Sequence, residues 1–277
     1  MKIIDFENIY VTYGMDTVLK GVTLEIKNGE NWAILGSNGS GKSTLMKLFS
    51  HDLYPNAKYS FKKEIFGRDK WNIFELKKYL GIVTNDLHYK FMYNAPNVSS
   101  LDVVLSGYNS SFDIAGAYVF DEKNYKEAQE VMDFLGIWDI KDKKVCKMST
   151  GQLRRCIIGR ALVHNPKAFV LDEPTMGLDI KTQNSFINIL QKISKTTPII
   201  LITHNIAEIF PEITHVALMY NQTVFKQGRK EDILTSQNLS EIFEIDVELM
   251  EENGRFYIKN MGSNCGKICR NECCTPF

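Results

Sequence analysis

The segment Gly36-Ser37-Asn38-Gly39-Ser40-Gly41-Lys42-Ser43 constrains this chain more than any other. It fits G-x-x-x-x-G-K-[ST], a loop whose glycines let backbone N–H groups converge on phosphate oxygens without Cβ collisions. The helix that follows adds the partial positive charge of its N-terminus. At ordinary residue frequencies an accidental match is expected in about one of a hundred chains this long. The setting strengthens the match: Trp32-Ala33-Ile34-Leu35 is a short apolar run with the character of a buried strand, and Ser43-Thr44-Leu45-Met46-Lys47-Leu48-Phe49 has helical spacing. Lys42 would contact the β- and γ-phosphates of a nucleotide, and the Ser43 hydroxyl would bind Mg²⁺.

A strand that feeds such a loop needs parallel neighbours. Ala168-Phe169-Val170-Leu171 and Ile199-Ile200-Leu201-Ile202 are apolar runs of the right length, each followed by a polar loop and a helix-like stretch, Ile180 to Ile193 and Ile206 to Phe210. Repeated strand, loop and helix units predict an α/β fold: a P-loop NTPase core with a parallel sheet. Ahead of the loop, residues 3–11 and 22–26 alternate apolar and polar side chains, which predicts an N-terminal antiparallel β-subdomain. Helical spacing dominates from about Leu101 to Lys144, as in Lys126-Glu127-Ala128-Gln129-Glu130-Val131-Met132, and predicts an inserted α-helical subdomain within about 90–160. Asn253-Gly254 between Val247-Glu248-Leu249-Met250 and Arg255-Phe256-Tyr257-Ile258 is a hairpin signal. The expected division is a cassette over 1–235, a C-terminal helix and hairpin over 236–260, and a cysteine-rich tail over 261–277.

A P-loop needs carboxylates to complete its chemistry, and Phe169-Val170-Leu171-Asp172-Glu173 offers two at the end of an apolar strand. Asp172 is placed to hold Mg²⁺ through water. Glu173 would be the general base that orients and polarises the attacking water near the γ-phosphate.

At this point the motifs resemble the ATP-binding cassette (ABC) ATPases over about residues 1–235. Met148-Ser149-Thr150-Gly151-Gln152 looks like the family signature, Leu178-Asp179 its D-loop, and His204 in Ile202-Thr203-His204-Asn205 its switch histidine. Tyr13 resembles the aromatic residue that stacks on adenine. The resemblance implies ATP and Mg²⁺ as ligands, with Gly36 to Thr44 around the phosphates and His204 contacting the γ-phosphate. It also implies two cassettes packed head to tail, so that Ser149, Gly151 and Gln152 act on the nucleotide of the other copy and Asp179 lies at the seam. One P-loop per chain makes an ATP-dependent homodimer the simplest complete assembly.

Two positions depart from the family pattern. Asn85 stands where glutamine is usual, and being one methylene shorter it would reach Mg²⁺ or the lytic water through a bridging water. Met176-Gly177 replaces the commoner Ser-Gly ahead of Asp179.

Composition narrows the work that hydrolysis drives. Basic and acidic residues balance at 33 each, giving zero formal charge and no long-range field to hold a polyanion, so nucleic acid is disfavoured as a partner. Lys58, Lys62, Lys63, Arg68 and Lys70 form a modest basic cluster, read as a solvated face. No run approaches the ~18–20 apolar residues of a membrane-spanning helix, and Met1 to Glu7 lacks a signal-peptide pattern, so a cytoplasmic location is expected. The leading reading is the ATP-binding subunit of a transporter, held at the inner face of the cell membrane by a separate permease chain. The alternative is a soluble cassette acting on nucleic acid or cytoplasmic machinery, similar to molybdate-related photorepair proteins.

Six cysteines fall into two groups. Cys146 and Cys156 are expected to be buried reduced thiols. Cys265, Cys269, Cys273 and Cys274 have spacings that place three of them on one face of a helix, so they could hold Zn²⁺ or an iron–sulfur cluster, or remain reduced thiols of a tail.

Overall fold

The apolar run before the glycine loop becomes the strand around which the molecule is organised in a computed structural model, which describes residues 1–109 and 119–262. Two long strands, β1 (Lys2–Tyr13) and β2 (Asp16–Lys27), lead into β3 (Trp32–Gly36), and the P-loop then enters α1 (Lys42–Phe49). There follow β4 (Lys62–Ile65), α2 (Ile73–Tyr79), β5 (Leu80–Val83), and the helices α3 (Asn85–Asn94), α4 (Ser100–Leu105), α5 (Glu122–Leu135) and α6 (Thr150–Leu162). The chain returns to the sheet with β6 (Ala168–Asp172), α7 (Ile180–Ser194), β7 (Ile199–Thr203), β8 (His215–Tyr220) and β9 (Thr223–Arg229). It ends with α8 (Lys230–Ile233), α9 (Ser236–Phe243), β10 (Asp246–Glu252) and β11 (Arg255–Gly262).

The six-stranded sheet has the order β5-β6-β7-β3-β8-β9, parallel except for the antiparallel β8–β9 pair. Its two faces bury different halves of each central strand. Trp32 and Ile34 of β3 join Val170, Ile200 and Ile202 in a core shared with β1, β2 and α1, whereas Ala33 and Leu35 join Leu171 and Leu201 under α6 and α7. This double burial explains why the parallel strands read as continuous apolar runs instead of alternating ones. The smaller sheet, β2-β1-β4, is antiparallel and packs its apolar face on the first of these cores, as its alternation predicts. At the other end of the chain Asn253 and Gly254 both adopt positive φ, 53° and 74°, which is the backbone of a two-residue hairpin turn whose twist matches its strands.

Three details differ from expectation. The stretch Ile206 to Phe210 is a single 3₁₀ turn, Ile206–Glu208, followed by extended chain, because Pro211 disfavours helical backbone at the residue before it. Cys146 is exposed, lying in a polar turn, whereas Cys156 is buried as expected, with its sulfur 3.0 Å from the Ser100 hydroxyl. Burial pushes the Cys156 thiol up to about 11, which keeps it protonated and inert. Lys63 departs from the solvated basic face: strand alternation turns it inward from β4, and its ammonium lies 4.7 Å from the Tyr54 ring centroid. Cys265, Cys269, Cys273 and Cys274 lie outside the described residues, and among the described residues no group of three or more His, Cys, Asp or Glu is arranged to hold a metal.

Candidate nucleotide-binding and hydrolysis site

The P-loop is shaped by what its glycines permit. A Cβ on Gly36 would sit 2.5 Å from the Met219 carbonyl oxygen and 2.7 Å from Ser40 Oγ, so only glycine fits between the strand end and β8. Gly39 and Gly41 have φ of 81° and 104°, turning the loop back over the start of α1. Gly41 is also the N-cap residue of α1 and offers no side chain, which leaves the first-turn N–H groups of the helix to bind an anion. Ser40 Oγ is buried among the described residues without a hydrogen-bond partner, an atom that a phosphate oxygen would satisfy. Lys42 donates from Nζ to the carbonyl oxygens of Gly36 and Ser37 at 2.8 and 2.9 Å. Burial lowers its pKa against the opposing pull of the Glu173 and Asp172 charges. Ser37 is half-buried, Asn38 and Ser43 are exposed and Thr44 is half-buried, all on the rim of the same cradle.

At the end of β6, two strands from the P-loop strand, Asp172 and Glu173 emerge together. Burial pushes the Asp172 carboxyl up to about 6, with the neighbouring Glu173 charge adding to the rise and Lys42 opposing it. Such a carboxylate is poised for a cation to replace its proton. Ser43, Asp172 and Asn85 line one cleft of about 420 Å³, where the hydroxyl and the carboxylate are available to a hard, oxygen-seeking cation such as Mg²⁺.

Glu173 has φ 47°, a left-handed backbone that costs a non-glycine residue roughly 1–2 kcal/mol. Its N–H is nevertheless bonded to the Ile202 carbonyl of β7 at 2.8 Å. The side chain reaches His204: Glu173 Oε1 and His204 Nδ1 are 2.7 Å apart, although the residues are 31 positions apart in sequence. The sequence reading places both residues near the γ-phosphate and does not anticipate this contact between them.

The motif residues at the other end of the cassette form a separate group. Ser149 caps α6 and closes a capping box with Gln152: Gln152 N–H donates to Ser149 Oγ at 3.3 Å, and Ser149 N–H to Gln152 Oε1 at 3.0 Å. Lys143 also donates to Gln152 Oε1 at 2.8 Å. A Cβ on Gly151 would meet Thr182 Cγ2 at 2.5 Å, and Thr182 is in turn bonded to Asp179, the N-cap of α7. The signature and D-loop residues thus abut one another through Gly151 and Thr182, with Ser149 and Asp179 exposed. Tyr13 stands 46% exposed at the end of β1.

Asn85 behaves differently from the sequence expectation. Its Oδ1 accepts a 2.8 Å hydrogen bond from Arg154 Nη2, so this amide oxygen faces a protein cation and is not held free for Mg²⁺ or water. Sequence reasoning passed over Arg154 and over Glu208, a 3%-exposed carboxylate that accepts a hydrogen bond from the Thr175 hydroxyl. A signal for Arg154 was present: it falls in phase with Ile157 and Ile158 on the buried side of α6, a position where an arginine needs partners.

An anion cradle at a helix N-terminus, facing a carboxylate poised for a cation and a second one bonded to histidine, has the chemistry of a P-loop nucleoside triphosphatase. The ABC transporter family model matches residues 19–176, more than half of the chain, and the protein belongs to that family. It is accordingly an ABC ATPase, a nucleotide-binding subunit of the kind that energises transporters by hydrolysing ATP. An uncharacterized ABC transporter ATP-binding protein of Lactococcus lactis is 29% identical, with 93% of this chain and 98% of that protein covered. One from Methanocaldococcus jannaschii is 30% identical over 92% of this chain and 86% of its own length. Among solved structures, a dimeric bacterial ABC transporter cassette superposes with a TM-score of 0.67 at 25% identity, covering 82% of this chain and 98% of that one.

Proposed function

We propose that two copies of this chain bind two ATP molecules head to tail and that hydrolysis drives a separate membrane permease. The contact between Glu173 and His204 carries the hydrolytic half of this reading. In the tautomer with its proton on Nδ1, His204 donates to the carboxylate that takes the proton of the attacking water, and so holds it in place. Lys42 and the P-loop N–H groups bind the phosphates, and Tyr13 packs on the base. Ser43 and Asp172 would hold Mg²⁺, which would supply positive charge against the nucleotide's phosphates. Asn85 reaches this region only if Arg154 releases it or through its second lone pair. Ser149, Gly151, Gln152 and Asp179 complete the nucleotide site of the second copy, and the exposure of Ser149 and Asp179, with Gly151 packed on Thr182 between them, supports that assignment.

Among the described residues no helix is long and apolar enough to cross a membrane. In this reading a separate permease chain holds the protein at the cytoplasmic face of the membrane. The cleft beside Ser43 and Asp172 supports a docking place for that partner. It continues past Leu80, Ile82 and Leu87 to Lys77, Lys90 and Arg160, so an inserted segment would touch both the metal site and the helices. The transporter names of the relatives favour this reading over a soluble cassette acting on nucleic acid. Co-purification from detergent extracts tests it: a polytopic membrane protein should be recovered with the tagged chain, and a fully active ATPase that never associates with one would contradict it.

A further inference from the structure

The loop from Glu173 to Asp179 has to keep a non-glycine residue in left-handed backbone while presenting its carboxylate to His204. One side chain grips that loop from the inside. Arg154, 5% exposed, donates from Nη1 to the carbonyl oxygens of Pro174 at 3.0 Å and Glu173 at 3.5 Å. From Nη2 it donates to the carbonyl of Met176 at 2.6 Å and to Asn85 Oδ1 at 2.8 Å. The Thr175 hydroxyl of the same loop donates to the buried Glu208 carboxyl, so the loop is clasped by side chains from two separate elements. Only a guanidinium reaches four acceptors in this arrangement, because its donors are fixed in a planar fork, whereas an ammonium or a primary amide cannot span them.

Arg154 also lies on α6, little more than one turn beyond Ser149, Gly151 and Gln152. A helix moves as a unit over so short a distance, about 5.4 Å per turn. We propose that Arg154 is a positioning residue that relays occupancy of the partner copy's nucleotide, sensed at the N-terminus of α6, to the chain's own Glu173 and Asn85. This rests on the head-to-tail reading above. It gives each cassette one rigid link between the site it completes for its partner and the site where it hydrolyses its own ATP.

The test compares Arg154→Gln, Arg154→Lys and Asn85→Ala with the parent chain in steady-state ATPase assays over a range of ATP concentrations. Affinity for a fluorescent ATP analogue and thermal unfolding are measured alongside. Arg154→Gln should lower kcat on the order of 10–100-fold and bring the Hill coefficient to about 1, with affinity changed less than about threefold. Arg154→Lys should recover little of either. Adding Asn85→Ala to Arg154→Gln should cost nothing more, because both act through one contact. A soluble Arg154→Gln protein with parental kcat and cooperativity overturns the proposal, as does a loss of kcat matched by an equal loss of affinity. Should Arg154→Gln fail to fold, Asn85→Ala alone decides: reduced cooperativity with intact affinity supports the relay, and parental cooperativity overturns it. A parent chain that hydrolyses ATP without cooperativity and never dimerises overturns the head-to-tail reading itself. A cooperative, dimerising Arg154→Gln overturns only the relay.

Discussion

Lowering the pH should weaken Mg²⁺ binding through Asp172 in a way the site allows to be calculated. Burial and the adjacent Glu173 charge raise this carboxyl to about 6, so in the metal-free protein it is almost wholly ionised at pH 7.5. At pH 5 only about a tenth remains ionised, and metal binding must then displace a proton. Apparent Mg²⁺ affinity should therefore fall about tenfold between pH 7 and pH 5, approaching tenfold per pH unit below that range. The assay is Mg²⁺ titration of nucleotide binding at a series of pH values, with Asp172→Asn as the comparison. Titration of the nucleotide's own phosphates is common to both proteins, so the difference between their pH slopes isolates Asp172. The variant should bind Mg²⁺ weakly and lose this part of the slope. Parallel slopes in the two proteins would refute the assignment of Asp172 as the cation's carboxylate.

Gly41→Ala should weaken ATP binding by at least about tenfold, because its φ of 104° suits glycine alone and the new methyl would lie 2.6 Å from Leu19 Cδ2; an unchanged Kd in a fluorescent-nucleotide titration would contradict this. His51 should make the protein acid-labile. Burial, aided by the Lys63 charge, holds its imidazole at about 4, below the ordinary 6.5. Between these values the unfolded chain binds more protons than the folded one, so stability rises with pH across this window and is lost as pH falls through it. At pH 5 the loss through His51 is about 2 kcal/mol relative to pH 7.5, and urea unfolding of His51→Asn, whose side chain tolerates the same positive φ, should show a loss smaller by that amount.

The parts legible in the sequence are those whose signal is local. Continuous apolar runs marked β3, β6 and β7, a glycine pattern marked the phosphate cradle, and Asn253-Gly254 marked the last turn. The strand β8 went unassigned because a short apolar run has no period of its own to separate strand from buried helix, and β9, with Lys226, Gln227, Gly228 and Arg229 in its second half, shows no apolar run at all. Lys63 looked solvated because charge in a composition window says nothing about which face of β4 a residue occupies. The clasp formed by Arg154, Thr175 and Glu208 is made of contacts 20 and 33 positions apart, and no window over the sequence spans them. Asn85 illustrates the limit of motif matching. The motif locates the residue, whereas its hydrogen-bond partner is decided by a helix about seventy residues away.

The central claim is that Glu173 is the base of an ATPase that works as a closed pair. The most direct measurement is the mass and nucleotide content of Glu173→Gln protein, determined by light scattering after gel filtration in Mg²⁺ and ATP. The account predicts abolished turnover and a species of twice the 31.7 kDa chain mass holding one ATP per chain, which disperses to monomer when ATP is removed. Parental turnover in the variant, or a monomer that binds ATP without pairing, would contradict it.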